Sequence, residues 1–249
     1  MYKHAVHLSR CLDVTVSGDN TVLHTVLVIT LLACMQSWHV DKSTFFLQNL
    51  INTIERCTGI DLDGDGRLEG IKRGWEWPSE VFDVASDGAF YGFRPLSGDA
   101  LKTEVLAVGD VDRDGSLDVV AGFHVDLSMG EPPEPVRVYF NDGEGFFGPG
   151  NLLGGTPSST LGLALGDLDG DGQLDVIESS QYEPIADVLP PLRVRLGVGY
   201  GDFGVAQQQS GPPMSSYDLT VADLNGDGLL DVLWAGDNGL RFGNGDGML

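Results

Sequence analysis

The sequence predicts an all-β fold, a β-propeller-like array of about four four-stranded blades, the last of them incomplete, after an amino-terminal leader. Three observations predict it. The chain carries 35 glycines and 12 prolines in 249 residues, a composition that suits short strands joined by tight turns and disfavours long helices. Its apolar runs are short, and several alternate with polar residues at the period of a half-buried strand. One acidic nine-residue segment recurs four times, with starts 49, 57 and 56 residues apart, so the chain is a repeat array.

Composition sets the limits. A hydrophobic content of 42% is enough to bury one sizeable core. The 37 acidic residues outnumber the 14 basic ones, giving a formal net charge of −23. That balance excludes the positive footprint that a nucleic-acid backbone requires. It leaves two meanings for the carboxylates, a soluble surface or a set of cation sites, and their placement separates the two. The three cysteines, Cys11, Cys34 and Cys57, are too few to frame a disulfide mini-domain.

The order along the chain is a leader at residues 1–34, a linker at 35–54 and the repeats at 55–249. Residues 22–33 form an apolar run of signal-peptide length, too short to span a bilayer comfortably. It ends in Leu31-Leu32-Ala33-Cys34, which resembles a lipoprotein signal and predicts lipidation of Cys34, with membrane attachment after export. Asp13 and Asp19 stand where a basic n-region belongs, and the nearest upstream basic residue is Arg10. Within the linker, residues 43–48 are apolar enough to serve as a closing strand for the last blade.

The repeat is defined by four segments that align without gaps. They are Asp61-Leu62-Asp63-Gly64-Asp65-Gly66-Arg67-Leu68-Glu69, Asp110-Val111-Asp112-Arg113-Asp114-Gly115-Ser116-Leu117-Asp118, Asp167-Leu168-Asp169-Gly170-Asp171-Gly172-Gln173-Leu174-Asp175 and Asp223-Leu224-Asn225-Gly226-Asp227-Gly228-Leu229-Leu230-Asp231. Apolar residues lead in, Leu-Asp-Val leads out of three copies, and residues 136–140 and 192–196 supply a third strand. A glycine-rich turn with an aromatic follows, Asn141-Asp142-Gly143-Glu144-Gly145-Phe146-Phe147 in one copy and Gly199-Tyr200-Gly201-Asp202-Phe203 in another. Room remains for a fourth strand, and a four-stranded unit of about 50 residues is the size of a propeller blade, which needs neighbours to cover its faces.

These features together resemble the FG-GAP/VCBS repeat of integrin α-subunit propellers and of many bacterial surface proteins. The resemblance spans residues 55 to 249. It implies a calcium-binding, exported or cell-surface β-propeller module that presents loops to a protein or glycan partner without catalysing a reaction.

The loop chemistry points to the same ion. Calcium takes six to eight oxygens, and carboxylates at positions 1, 3 and 5 of a tight loop converge on one point. Glycine at position 6 permits the turn. The predicted ligands are Asp61, Asp63, Asp65, the Arg67 carbonyl and Glu69; Asp110, Asp112, Asp114, the Ser116 carbonyl and Asp118; Asp167, Asp169, Asp171, the Gln173 carbonyl and Asp175; and Asp223, Asn225, Asp227, the Leu229 carbonyl and Asp231. Up to four Ca2+ ions are expected, with the fourth loop weakest because Asn225 removes a charge.

Other readings stay open at this stage. An EF-hand loop begins the same way but sits between helices and takes Glu at position 12, here Lys72, Ala121, Glu178 and Trp234. The Leu-Asp-Val tripeptides match a short integrin ligand, although their aspartates are already assigned to metal. Trp75 and Trp77 form either a sugar platform or inter-blade packing. A propeller-based hydrolase or lyase, or a structural fragment of a larger surface protein, are the alternatives to a binding module. Only His124 among the five histidines falls in the repeats, and no nucleophile elbow or zinc spacing occurs, so no catalytic residue is predicted.

Overall fold

Each acidic segment is bordered by apolar residues, and each of those borders is a strand. The computed structural model describes residues 57–249 apart from 75–77, 87, 100, 124–133, 155–158, 181–191, 210–215 and 237–238. The leader with Cys34, the closing-strand segment 43–48, Trp75, Trp77 and His124 lie outside the described residues. Among the described residues the regular structure is all strand, with no helix. Strands on both sides of every loop remove the helix–loop–helix alternative.

The first sheet runs in the order β1 (Cys57–Ile60), β2 (Glu69–Lys72), β3 (Glu80–Val84), β4 (Phe90–Pro95) and forms the core of one compact unit. The second unit holds the rest. Its sheets are β5 (Thr103–Gly109), β6 (Asp118–Phe123), β7 (Arg137–Tyr139), β8 (Asn151–Leu152); then β9 (Thr160–Gly166), β10 (Asp175–Ser180), β11 (Arg193–Arg195) and an outer β14 (Gln207–Gln208). The hairpin β12 (Gly197–Gly199) and β13 (Asp202–Phe203) interrupts the latter sheet before β14. The last sheet has three strands, β15 (Ser216–Ala222), β16 (Asp231–Gly236) and β17 (Gly239–Arg241).

The hairpin that carries each acidic loop pairs antiparallel, and its register is the same in every repeat. Position 9 of the loop faces the residue just before position 1: Ile60 with Glu69, Gly109 with Asp118, Gly166 with Asp175 and Ala222 with Asp231. Each acidic loop is therefore the connection of a hairpin, closed by its own last residue.

Packing explains why the second strands read as unbroken apolar runs. Val119 and Val120, and likewise Val176 and Ile177, are neighbours that point to opposite faces, yet all are fully buried. On one side Val111, Val120, Val136 and Val138 of the second sheet meet Leu163 and Val176 of the third. On the other, Leu168, Ile177 and Val194 of the third sheet meet Leu219, Val232 and Trp234 of the fourth. The third sheet thus offers one face to the second sheet and the opposite face to the fourth.

Charges are buried as well. Glu178 on β10 sits between Arg193 and Arg195 of β11, each 3.2 Å from its Oε1, and all three are buried. Paired in this way, the carboxylate and the guanidiniums avoid the penalty of an isolated buried ion.

Candidate metal centres

Backbone amides build each loop around its own carboxylates. The amide of the position 6 glycine donates to Oδ2 of position 1: Gly66 to Asp61 at 3.1 Å, Gly115 to Asp110 at 3.1 Å, Gly172 to Asp167 at 2.9 Å and Gly228 to Asp223 at 2.9 Å. These glycines hold φ between 83° and 97°, a left-handed conformation that costs any residue with a Cβ. Position 4 is left-handed too. There Gly64, Gly170 and Gly226 are replaced in the second loop by Arg113, at φ 66°.

Position 9 does more than the sequence predicts. Asp175 is fully buried and accepts two amides, Leu168 N at 2.7 Å and Gly197 N at 2.8 Å. Asp118 accepts Val111 N and Asn141 N, each at 3.0 Å, and Asp231 accepts Leu224 N at 2.9 Å and Gly243 N at 3.0 Å. One oxygen thus fixes the acidic loop and the other fixes the turn after the third strand. Burial pushes the Asp118 and Asp175 carboxyls up to about 6; the donating amides lower them in part, and the neighbouring loop aspartates raise them further.

Positions 1, 3 and 9 are the residues that come together. Oxygens of Asp110, Asp112 and Asp118 lie within 4.8 Å of one another, as do those of Asp167, Asp169 and Asp175, and of Asp61, Asp63 and Glu69. In each group the Oδ1 of position 1 (Asp61, Asp110, Asp167) is buried and has no hydrogen-bond donor. A buried carboxylate oxygen without a donor, facing two further carboxylates, fits a cation. Such acidic groups can hold a metal ion.

Position 5 stands outside these groups. Asp65, Asp114 and Asp171 are exposed, and each turns Oδ1 back to the amide of position 7, at 2.8 Å to Arg67, 2.7 Å to Ser116 and 2.7 Å to Gln173. The convergence expected of position 5 is therefore not part of the three-carboxylate clusters.

The fourth loop differs again, and no such cluster forms there among the described residues. Asp223 uses Oδ1 to accept Gly226 N at 2.7 Å, and Asn225 Nδ2 donates to Asp227 Oδ2 at 2.9 Å. Its own amides thus occupy the oxygens that the other loops leave open. The Gly228 and Gly226 amides hold the Asp223 carboxyl below the usual carboxylate range.

Sequence reasoning missed the turn residues. Asn141 is buried, its Nδ2 donates to the Leu62 and Leu117 carbonyls at 2.7 and 3.1 Å, and its Oδ1 accepts Gly143 N and Gly145 N, both at 3.1 Å. In the third repeat Gly197 takes this place because the Leu174 carbonyl lies 2.6 Å from where a Cβ would stand. The signal was present as the recurring glycine-rich turn; its bond to position 9 was not.

A cleft of about 320 Å³ lies beside the third-repeat hairpin, lined by Phe140, Asn151, Leu152, Tyr200, Asp202 and Phe203 among others. Tyr200 is 92% exposed on a left-handed backbone, φ 56°.

Residues 124–177 match the family described as FG-GAP-like repeat, and the chain carries that repeat. No curated protein matches the chain. Solved structures that share the fold include the following two. A lectin from Agrocybe aegerita, described as recognising non-reducing terminal N-acetylglucosamine, superposes with a TM-score of 0.51 at 20% identity, over 77% of this chain and 50% of that one. BBS1N, solved in complex with ARL6DN, gives 0.50 at 9% identity over 76% and 53%. The chain spans about half the length of both, and these likenesses establish a β-propeller-like architecture.

Proposed function

We propose that this chain is a calcium-binding, non-catalytic β-propeller-like module that engages a glycan or protein partner outside the cell. The buried, donor-free Oδ1 atoms of Asp61, Asp110 and Asp167, each facing two more carboxylates, carry the calcium reading. Three carboxylates from positions 1, 3 and 9, a position 7 carbonyl and water would complete a shell of six to eight oxygens, the number calcium prefers and magnesium rejects. The ion would relieve the mutual repulsion that burial imposes on these groups. Calorimetric titration of the full chain tests it. Calcium should bind at the first three loops, the fourth weakly, and magnesium poorly. Absence of binding heat, together with a melting curve unmoved by chelator, would overturn the reading.

The glycan reading rests on the cleft beside Tyr200, where an exposed aromatic face and the polar side chains of Asn151 and Asp202 lie together. Aromatic faces stack on the apolar side of a sugar ring while carboxylate and amide groups take its hydroxyls. A glycan screen that includes N-acetylglucosamine-terminated chains, with Tyr200→Ala as the control, tests this part separately. Export by the 1–34 leader and lipidation at Cys34 would place the module at the cell surface; retention of Met1 in the mature protein would exclude both.

A further inference from the structure

The last sheet exposes a face that its predecessors bury. In the second sheet Val111, Val120 and Val138 are 3%, 0% and 2% exposed and pack on the third sheet. In the third, the equivalent Leu168, Ile177 and Val194 are 3%, 0% and 0% exposed and pack on the fourth. Register fixes the equivalents in the fourth sheet: Val120 pairs with Val138, Ile177 with Val194 and Leu233 with Leu240, while Leu224 holds loop position 2. There Leu224, Leu233 and Leu240 are 49%, 43% and 41% exposed. Phe242 continues the patch at 55%, although its counterparts Phe140 and Leu196 are packed against the two cores. Four positions thus change together from covered to open, and large apolar side chains are kept at all of them.

The first sheet shows the reciprocal feature. In the third and fourth sheets the residue after position 9, Val176 or Val232, and the residue before it, Leu174 or Leu230, pack on the preceding sheet. The equivalents in the first sheet are Gly70 and Leu68. Phe82 lays its ring where a Gly70 side chain would stand. Phe90 and Phe93 lie 4.9 and 5.2 Å from that ring, centroid to centroid, and are 43% and 52% exposed. Leu68 is 44% exposed.

We infer that the face of Leu224, Leu233, Leu240 and Phe242 docks a second copy of this chain through that copy's Leu68, Phe90 and Phe93. The contact repeats an interface that the molecule already forms twice, between its second and third and its third and fourth sheets. Each copy carries both halves, so the association is head to tail. A net charge of −23 opposes the encounter of two copies, so it strengthens as salt screens that repulsion. The inference stands independently of calcium and of glycan binding.

Sedimentation velocity of the full chain over a concentration series, at low and at 0.5 M salt on the order of full screening, is the test. The expected result is a concentration-dependent species of two or more copies that salt favours. Leu233→Asp and Phe93→Asp should each weaken association about tenfold or more; Phe93→Asp also loses its contact with the Phe82 ring and lowers the melting temperature in part, so the mixture of the two variants is the deciding arm. Mixing the two variants should restore association in part, because each still carries the face the other lacks; a merely destabilised protein would show no such rescue. A monomer at every concentration and salt, or association that neither variant weakens, or failure of the mixture to associate more than either variant alone, would overturn the inference.

Discussion

Asp175→Ala separates the two roles that position 9 combines. The substitution leaves the Leu168 and Gly197 amides, now 2.7 and 2.8 Å from the carboxylate, without an acceptor, at about 1–3 kcal/mol each. It also removes a buried charge. Burial lifts that carboxyl from 3.8 to about 6, so holding it ionised at pH 7 without metal costs up to about 3 kcal/mol, less where loop water screens it. Two amides at about 2–6 kcal/mol together, set against the full charge penalty, leave a net loss of at most about 3 kcal/mol in chelator at pH 7, and the change between pH 7 and pH 5 is the sharper readout.

Asp171→Ala is the control, because it removes an exposed carboxylate that holds one amide, Gln173 N, and should cost only about 0.5–1 kcal/mol in chelator. Acidification sharpens the contrast. A carboxyl whose folded pKa is raised keeps its proton in the native state between about pH 4 and 6 while the unfolded chain has lost it, so stability falls as pH rises through that window. Asp175→Ala lacks this contribution, and its deficit against the wild type should widen from pH 7 to pH 5. Urea unfolding in chelator at both pH values, followed by circular dichroism, measures it. Equal losses for the two variants, or a gap that narrows at pH 5, would refute a clamping role for Asp175.

Other outcomes follow from the same contacts. Asn225→Asp removes the amide that holds Asp227 and adds a carboxylate, so calorimetry should show the fourth loop gaining calcium affinity. Calcium affinity of the second and third loops should drop below about pH 6, where protons compete for Asp118 and Asp175; a flat pH profile counts against their ligation. Arg113→Gly relieves a left-handed backbone at φ 66° and should stabilise by roughly 1 kcal/mol in a melting experiment. Glu178→Ala leaves Arg193 and Arg195 without their shared carboxylate and should destabilise by about 3–5 kcal/mol, read by urea unfolding.

Local chemistry repeated in register was legible from the sequence alone. The Asp-x-Asp-x-Asp-Gly-x-x-Asp spacing, with glycine where φ must be positive, identified hairpin loops between strands, because turn geometry and carboxylate placement are fixed within nine residues. The period of about 50 residues gave four-stranded units for the same reason, and three sheets have that number. Only the tertiary structure decided how the carboxylates divide their work. Whether Asp118 or Asp175 also clamps a turn depends on Asn141 and Gly197, which lie 23 and 22 residues further along and meet them only after the third strand has paired. Whether position 5 joins a cluster depends on which amide its oxygen finds first. Asn225 was readable as a lost charge, but its bond to Asp227 was not, since an amide's direction is set by the folded loop. Burial likewise belongs to the whole: Val120, Ile177 and Leu233 are equivalent and equally apolar in sequence, and the presence or absence of a neighbouring sheet makes two of them core and leaves the third at the surface.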